Sequence, residues 1–347
     1  MRTLTITPPA RPVVATKILI GAGILSDTSS CLQKGAYDGA VILYDRNLEG
    51  LAKSIGRTLN PRAFLPVVSG DASKSVAEVE RIADLMLQNG CTRRTLCVCI
   101  GGGMITDLGG FIASVFMRGM PCVYIPTTML AMVDAAIGGK TALNVMHHKN
   151  MLGTLTHPES VLIDIDLLEK LPPKQLSEGL TEAVKIAAIC DENLFSWFEQ
   201  HLKEVLNRDP RMLEECVSLC VSAKVSVVES DESDQKERLF LNFGHTVGHA
   251  VEAASLYQLS HGCAVSIGMA AEMQLSGFPD APRVLSLLSG LNMPIAFPEN
   301  SDKDVLWGIM KTDKKNSGGE VRIAVPGRIG SGKVMSITLQ EFQSLFR

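Results

Sequence analysis

The sequence predicts a nucleotide-type, Rossmann-like α/β domain followed by an all-α domain. Three observations carry this. The first half alternates short β-rich runs with helical patterns, which predicts a parallel sheet with helices on both faces. From about Leu171 the pattern changes to long 3.6-residue periods. The pair Pro172-Pro173 separates the two patterns, so the domains are placed at 1–171 and 172–347. The length of 347 residues fits two domains, because single cores stop growing near ~250–300 residues.

Val13–Gly21 and Ala40–Tyr44 are strand-like, and Leu65–Ser69 is a weaker third. Leu96–Ile100 is a continuous apolar run that ends in Gly101-Gly102-Gly103. Cys122–Ile125 is another, ending in Pro126-Thr127-Thr128, and Val161–Ile165 is a further strand. Ser75–Gln88 and Ile105–Met117 read as helices between them. In the second half Ser177–Ile189, Glu192–Leu206, Arg211–Ser230, His245–Leu256 and Cys263–Leu275 fit the helical period. Ser230–Glu237 reads as a charged loop, Gly277–Ala281 as a turn and Val321–Pro326 as a short strand. A cleft between the two halves is the expected site.

Composition narrows the function. Apolar residues are 46% and charged residues 20%, which excludes a disordered chain. The net charge of -4 gives no bulk pull towards nucleic acid or an anionic membrane. The mean hydropathy of +0.18 makes a membrane span worth testing. Its source is Thr95–Gly139, which carries only Asp107, Arg118 and Asp134 as charges. The longest uncharged run, Gly119–Val133, is broken by Pro121 and Pro126 and falls short of the ~20 residues a spanning helix needs. The first 17 residues lack the apolar core of a signal peptide, and nine cysteines without a CxxC pair read as free thiols. Together these predict a cytoplasmic location.

Several motifs carry chemistry. A buried strand, three glycines and an apolar helix place bare N–H groups at a helix start, which suits a pyrophosphate. The spacing is not GxGxxG, so a plain tight turn stands beside that reading. Asp45 and Asn47 follow the second strand, where a carboxylate can hold a ribose or simply form an Asx turn. Lys140 and Lys149, each beside glycine or asparagine in a charge-poor region, suit an anion.

His245 and His249 are i, i+4 on one helix, and His261 follows. The helix containing Glu178 and Glu182 can add a carboxylate. Two histidines, a glutamate and an open fourth position make a catalytic zinc site. Spacing alone nominates His245 and His249 as the ligand pair, but it does not separate a ligand from a neighbouring base. No HExxH motif is present, which excludes the zinc-protease reading. Lys185, Lys224, Arg238 and Asp313-Lys314-Lys315 are either exposed charges or a grip on a phosphate and a carboxylate.

Taken in order, the motifs resemble one family. They are Gly-Gly-Gly-Met-Ile-Thr-Asp, Met-Arg-Gly, Ile-Pro-Thr-Thr-Met-Leu, Ile-Gly-Gly-Lys-Thr, His-Lys-Asn-Met-Leu-Gly, Leu-Thr-Glu-Ala-Val-Lys and Leu-Asn-Phe-Gly-His-Thr-Val-Gly-His-Ala. This series resembles the 3-dehydroquinate synthases, among the sugar-phosphate cyclases, over nearly the whole chain and most densely from Gly101 to His261.

The resemblance implies an NAD-binding α/β domain, a helical metal domain and a homodimer. It implies conversion of 3-deoxy-D-arabino-heptulosonate 7-phosphate to 3-dehydroquinate and phosphate, in the shikimate route to aromatic amino acids. The implied cycle is oxidation by NAD, phosphate elimination, re-reduction and intramolecular aldol closure. It assigns the metal, usually zinc with cobalt as a substitute, to Glu182, His245 and His261. His249 then becomes a substrate residue, which revises the ligand pair nominated from spacing. Lys140, Asn150, Arg238, Asn242, His249 and Lys314 or Lys315 resemble substrate and phosphate contacts, and Arg118, Lys185 and Lys224 match further active-site positions. Asp134 matches a position near the nicotinamide. Asp45, Asn47, Asp71, Lys74, Gly102, Gly103, Asp107, Thr127, Thr128 and Lys149 match the NAD contacts.

Departures from the family pattern are local. Asp71 stands where Glu is usual. Thr154–His157 replaces an aromatic stretch. The glycine usual before Arg238 is absent, so that loop should take another shape, and the segment at Gly277–Arg283 is short. A different cyclase of the same fold, a metal-dependent polyol dehydrogenase and an inactive scaffold are the competing classes.

Overall fold

The computed structural model describes residues 15–32, 36–146, 148–232, 234–311 and 320–346. Its first half is one six-stranded sheet. The strands are β1 (Lys17–Gly21), β2 (Gly39–Asp45), β3 (Ala63–Val67), β4 (Thr95–Gly101), β5 (Cys122–Pro126) and, after a small hairpin, β8 (Ser160–Asp164). Their order is β1-β8-β5-β4-β2-β3, and every pairing is parallel. The hairpin is β6 (Leu143–Val145) with β7 (His148–Leu152).

The sheet forms because its strands are apolar on both sides. Val41, Leu43, Cys97 and Cys99 face one layer, which includes Ile105, Leu108 and Ile112 of α3 (Gly103–Val115). Ile42, Tyr44, Val98 and Ile100 face the other, with Ala52 and Ile55 of α1 (Glu49–Leu59). That two-sided burial is why the strands read as unbroken apolar runs instead of alternating ones. Helix α2 (Val76–Gln88) starts where the Ser75 hydroxyl accepts the Glu78 N–H at 3.2 Å.

The second half is built on α4 (Pro173–Cys190), α5 (Glu192–Leu206), α6 (Pro210–Ser230), α7 (His245–Ala254), α8 (His261–Ser276), α9 (Ala281–Gly290) and α10 (Lys303–Lys311). Proline at the first position starts α4 and α6, and Asp191 and Asp209 cap α5 and α6. This half is not wholly α-helical. The expected strand at Val321–Pro326 is β9 (Val321–Arg328), and it pairs antiparallel with β10 (Ser331–Ile337), which the sequence pattern did not show. A short α11 (Leu339–Gln343) follows.

The last strand of the large sheet ends at Asp164 and the helices begin at Pro173, across the predicted break. A single buried apolar cluster nevertheless runs through both halves, from Val41 and Ile163 through Met132 to Leu180, Phe198 and Val217. No described helix is long and apolar enough to cross a membrane. All nine cysteines are free thiols, and Cys216 and Cys220 are packed in the core.

Candidate active site

Strand ends β4 and β5 deliver the glycine triplet and Pro126-Thr127-Thr128 to one edge of the sheet. Gly102 is the extended residue before α3 and puts no side chain over the first helical amides. A cleft of about 860 Å³ opens there, lined by Gly102, Gly103, Asp107 and Thr128 on one side and by His245, His249 and His261 on the other. In an open parallel sheet, this carboxyl-end crevice is where ligands bind.

Helices α7 and α8 cross the far wall at very close range. A Cβ at Gly268 would collide with the backbone of Gly244, so only glycine allows the approach. That contact brings His245, at the start of α7, next to His261, at the start of α8. Their ring centroids are 5.4 Å apart. The third member is Glu182, fully buried on α4. Its Oε1 lies 3.1 Å from His261 Nε2 and 3.7 Å from His245 Nε2. One ligand atom from each lies within 4.8 Å of the others.

Two nitrogens and one carboxylate oxygen at that spacing fit a divalent metal. His245 Nδ1 lies 3.1 Å from the Phe243 carbonyl, which leaves Nε2 facing Glu182. Burial and the Lys185 ammonium push His245 down to about 3, so its ring is neutral. Burial opposes the charge on His261, but Glu182 and Glu252 raise it to about 10. His249, Glu252 and His261 form a second, overlapping group, so His249 is close to the cluster without joining Glu182.

A ladder of alternating charge runs from this cluster to the sheet. Lys185 Nζ is 2.6 Å from Glu182 Oε2 and 3.4 Å from Asp134 Oδ2. Lys224 donates to both the carboxylate and the carbonyl of Asp134. Burial works against ionised Asp134, but Lys185 and Lys224 hold its carboxyl down to about 2. Burial lowers Lys224, whereas Asp134 and Glu182 outweigh burial at Lys185 and raise it.

On the sheet side, Lys74 is buried and donates to Asp107 Oδ2 at 2.6 Å and to Asn150 Oδ1 at 2.6 Å. Burial pushes the Asp107 carboxyl up, against the pull of Lys74. Lys149 reaches Asp71 Oδ2 at 2.5 Å, so the shorter Asp71 side chain still meets a partner at the cleft.

Arg238 is 2% exposed and donates through Nη2 to the Gly138 carbonyl at 2.7 Å. Gly138 has φ +101°, and a Cβ there would strike the guanidinium. The loop before Arg238 takes its shape from Asp231, whose carboxylate accepts the N–H groups of Gln235, Lys236 and Arg238. Lys140 pairs with Asp234 at 2.6 Å, and Asn242 donates to the Leu239 carbonyl at 2.9 Å; both line the cleft.

Some expected residues lie elsewhere. Asp45 accepts the Asn47 N–H at 2.9 Å, and both side chains bond Ser69. That is the Asx turn weighed above, and neither residue lines the cleft. Thr127 is buried and does not line it either. Arg118 borders a separate pocket with Arg93, Arg94 and His157. Lys314 and Lys315 lie outside the described residues.

Sequence reasoning missed Asp231, Glu252 and Glu272. Glu272, fully buried on α8, accepts the N–H groups of Gly244 at 2.6 Å and Val247 at 3.1 Å. It caps the helix that carries His245. A lone charge in the otherwise uncharged stretch from Gly262 to Met273 was the available signal.

A parallel sheet joined to a helical layer places the chain in the fold class of the sugar-phosphate cyclases. The structure resembles 2-epi-5-epi-valiolone synthase from Streptomyces hygroscopicus subsp. jinggangensis 5008, solved with NAD+ and Zn2+ bound, at TM-score 0.87 and 25% identity over 98% of both chains. It resembles 2-deoxy-scyllo-inosose synthase, complexed with carbaglucose-6-phosphate, NAD+ and Co2+, at TM-score 0.87 and 25% identity over 95% of this chain and 96% of that one. Residues 64–178 match the family model for the 3-dehydroquinate synthase N-terminal region, and residues 179–316 match the C-terminal one. A 3-dehydroquinate synthase of Buchnera aphidicola subsp. Baizongia pistaciae is 41% identical over 78% of each chain. The chain belongs to the 3-dehydroquinate synthase family.

Proposed function

We propose that this chain is the carbon–oxygen lyase that converts 3-deoxy-D-arabino-heptulosonate 7-phosphate to 3-dehydroquinate and phosphate, with NAD+ and a divalent metal, zinc or cobalt. The observation that carries the reading is the meeting of the Glu182–His245–His261 cluster with the bare α3 N-terminus and a set of cations in one cleft. The solved neighbours carrying NAD+ with Zn2+ or Co2+ support it.

Glu182, His245 and His261 would hold the metal. Bound there, the metal would supply polarisation of a substrate hydroxyl, and NAD+ would supply reversible hydride transfer. Gly102 and Gly103 leave amides open to a pyrophosphate, with Lys74, Asp107, Asp71 and Lys149 around them. Arg238, Lys140, Asn150, Asn242 and His249 are the groups available for the substrate's phosphate and carboxylate. Lys185 and Lys224 fix Asp134 as an anion between the two halves. The roles of Asp45, Asn47, Thr127, Arg118 and Lys314 rest on the family resemblance. We assign domains 1–171 and 172–347, a homodimer and a cytoplasmic location on the same footing.

The test is purified, metal-replete protein with NAD+ and the heptulosonate phosphate. Phosphate and dehydroquinate should form together without net NADH. Folded protein that binds metal but releases no phosphate overturns the reading. The 25% identity to two other cyclases favours one second reading, a different sugar phosphate as substrate. Parallel assays on both sugar phosphates decide, and turnover of only the other would replace the first reading. Accumulating NADH would mark a polyol dehydrogenase instead.

A further inference from the structure

Glu252 lies on α7, one helical turn past His249, and its side chain is 4% exposed. A buried carboxylate needs compensation on both oxygens. Oε1 accepts from Lys149 Nζ at 2.8 Å, and Oε2 lies 3.6 Å from His261 Nδ1. His261 turns its other nitrogen, Nε2, towards Glu182. Lys149 comes from β7, in the first half of the chain. It also touches Asp71 at 2.5 Å and lies over the Tyr257 ring, 4.6 Å from its centroid. One carboxylate therefore contacts a metal-cluster histidine and a cofactor-side lysine at once.

We propose that Glu252 is a positioning residue shared by the two binding sites: it orients His261 through Nδ1 and holds Lys149 against Asp71, so that divalent-metal binding and NAD+ binding reinforce each other. The proposal rests on the metal- and NAD-dependent reading above. A carboxylate behind a ligating imidazole fixes the ring's tautomer and direction. Fixing Lys149 with the same group makes the two events share one ordering cost. Such coupling is reciprocal, so each ligand must tighten the other by the same factor. A second metal on His249, Glu252 and His261 would instead have to displace Lys149 from Glu252.

The experiment titrates the metal-depleted, full-length protein with Co2+ or Zn2+, with and without NAD+. It compares wild type, Glu252→Gln, Lys149→Met and the double variant, with melting curves for each. Wild type should bind one equivalent of metal, more tightly with NAD+ present. Glu252→Gln should stay folded, bind metal ~10- to 100-fold more weakly, shift the Co2+ visible spectrum and lose the NAD+ effect. Lys149→Met should keep the metal affinity seen without NAD+ but also lose the NAD+ effect. An unchanged Co2+ spectrum and affinity in Glu252→Gln, or two equivalents of metal in wild type, overturns the proposal and leaves the proposed function standing. Wild type that binds neither metal nor NAD+ overturns both.

Discussion

Glu272 on α8 closes the N-terminus of α7 by accepting the Gly244 N–H at 2.6 Å. Glycine at the cap position offers no side chain of its own, so the carboxylate supplies what a serine or aspartate supplies elsewhere. Removing it leaves buried amides unpaired beside His245. Glu272→Ala should lower stability by about 2–3 kcal/mol in urea unfolding, with a smaller loss in Glu272→Gln. An Ala variant as stable as wild type would show that the cap is dispensable.

Glu182→Ala or His261→Ala should abolish metal binding and turnover together. Equilibrium dialysis against Zn2+ and the phosphate-release assay measure the two. Turnover surviving in both variants would refute the metal assignment. Glu182→Ala also leaves the fully buried Lys185 with Asp134 as its remaining carboxylate contact, so it should cost more stability than His261→Ala.

Asp134 gives an acid limb with a definite sign. Its folded pKa is held near 2, below the ordinary 3.8, so its stabilising contribution is present above pH ~4 and is lost as the pH falls through about 2. The shift corresponds to roughly 2 kcal/mol. Asp134→Asn should therefore flatten the fall in melting temperature between pH 4 and 2, although it is less stable at neutral pH. An acid limb identical to wild type would contradict this.

Gly138→Ala should act on Arg238 as well as on the backbone. Positive φ and the close guanidinium both resist a side chain. A loss of more than ~1 kcal/mol and a raised KM are expected. Arg238→Lys should raise KM also, since lysine cannot bond the Gly138 and Glu232 carbonyls through a rigid fork. A wild-type KM in both would remove Arg238 from substrate binding.

What was legible in the sequence had a local cause. Strands β4 and β5 are apolar on both faces, so the run itself announces them. The glycine triplet, the histidines of α7 and Glu182 stand in ordered motifs. The hairpin β6–β7 was hidden because polar Asn144, His148, Lys149 and Asn150 break any alternation, while Met151 and Leu152 are exposed. Helix α1 carries apolar residues at Leu51, Ala52 and Ile55, but Gly50 and Gly56 weaken its helical signal. Glu252 and Asp231 were illegible for a different reason. Glu252 stands alone on its helix and Asp231 lies in the charged loop after Ser230, and either looks solvated until the chain folds a distant lysine, or a turn of backbone, onto it.

The apolar cluster that runs from Val41 to Val217 bears on how the chain comes apart. Two modules joined by a linker would melt in two steps and survive being cut from each other. Here Met129, Met132 and Val133 of the first half sit in the same cluster as Leu176 and Leu180 of the second. Calorimetry should record one cooperative transition. A fragment ending at residue 171 should expose a greasy face and aggregate, so the unit of folding is wider than either half of the active site.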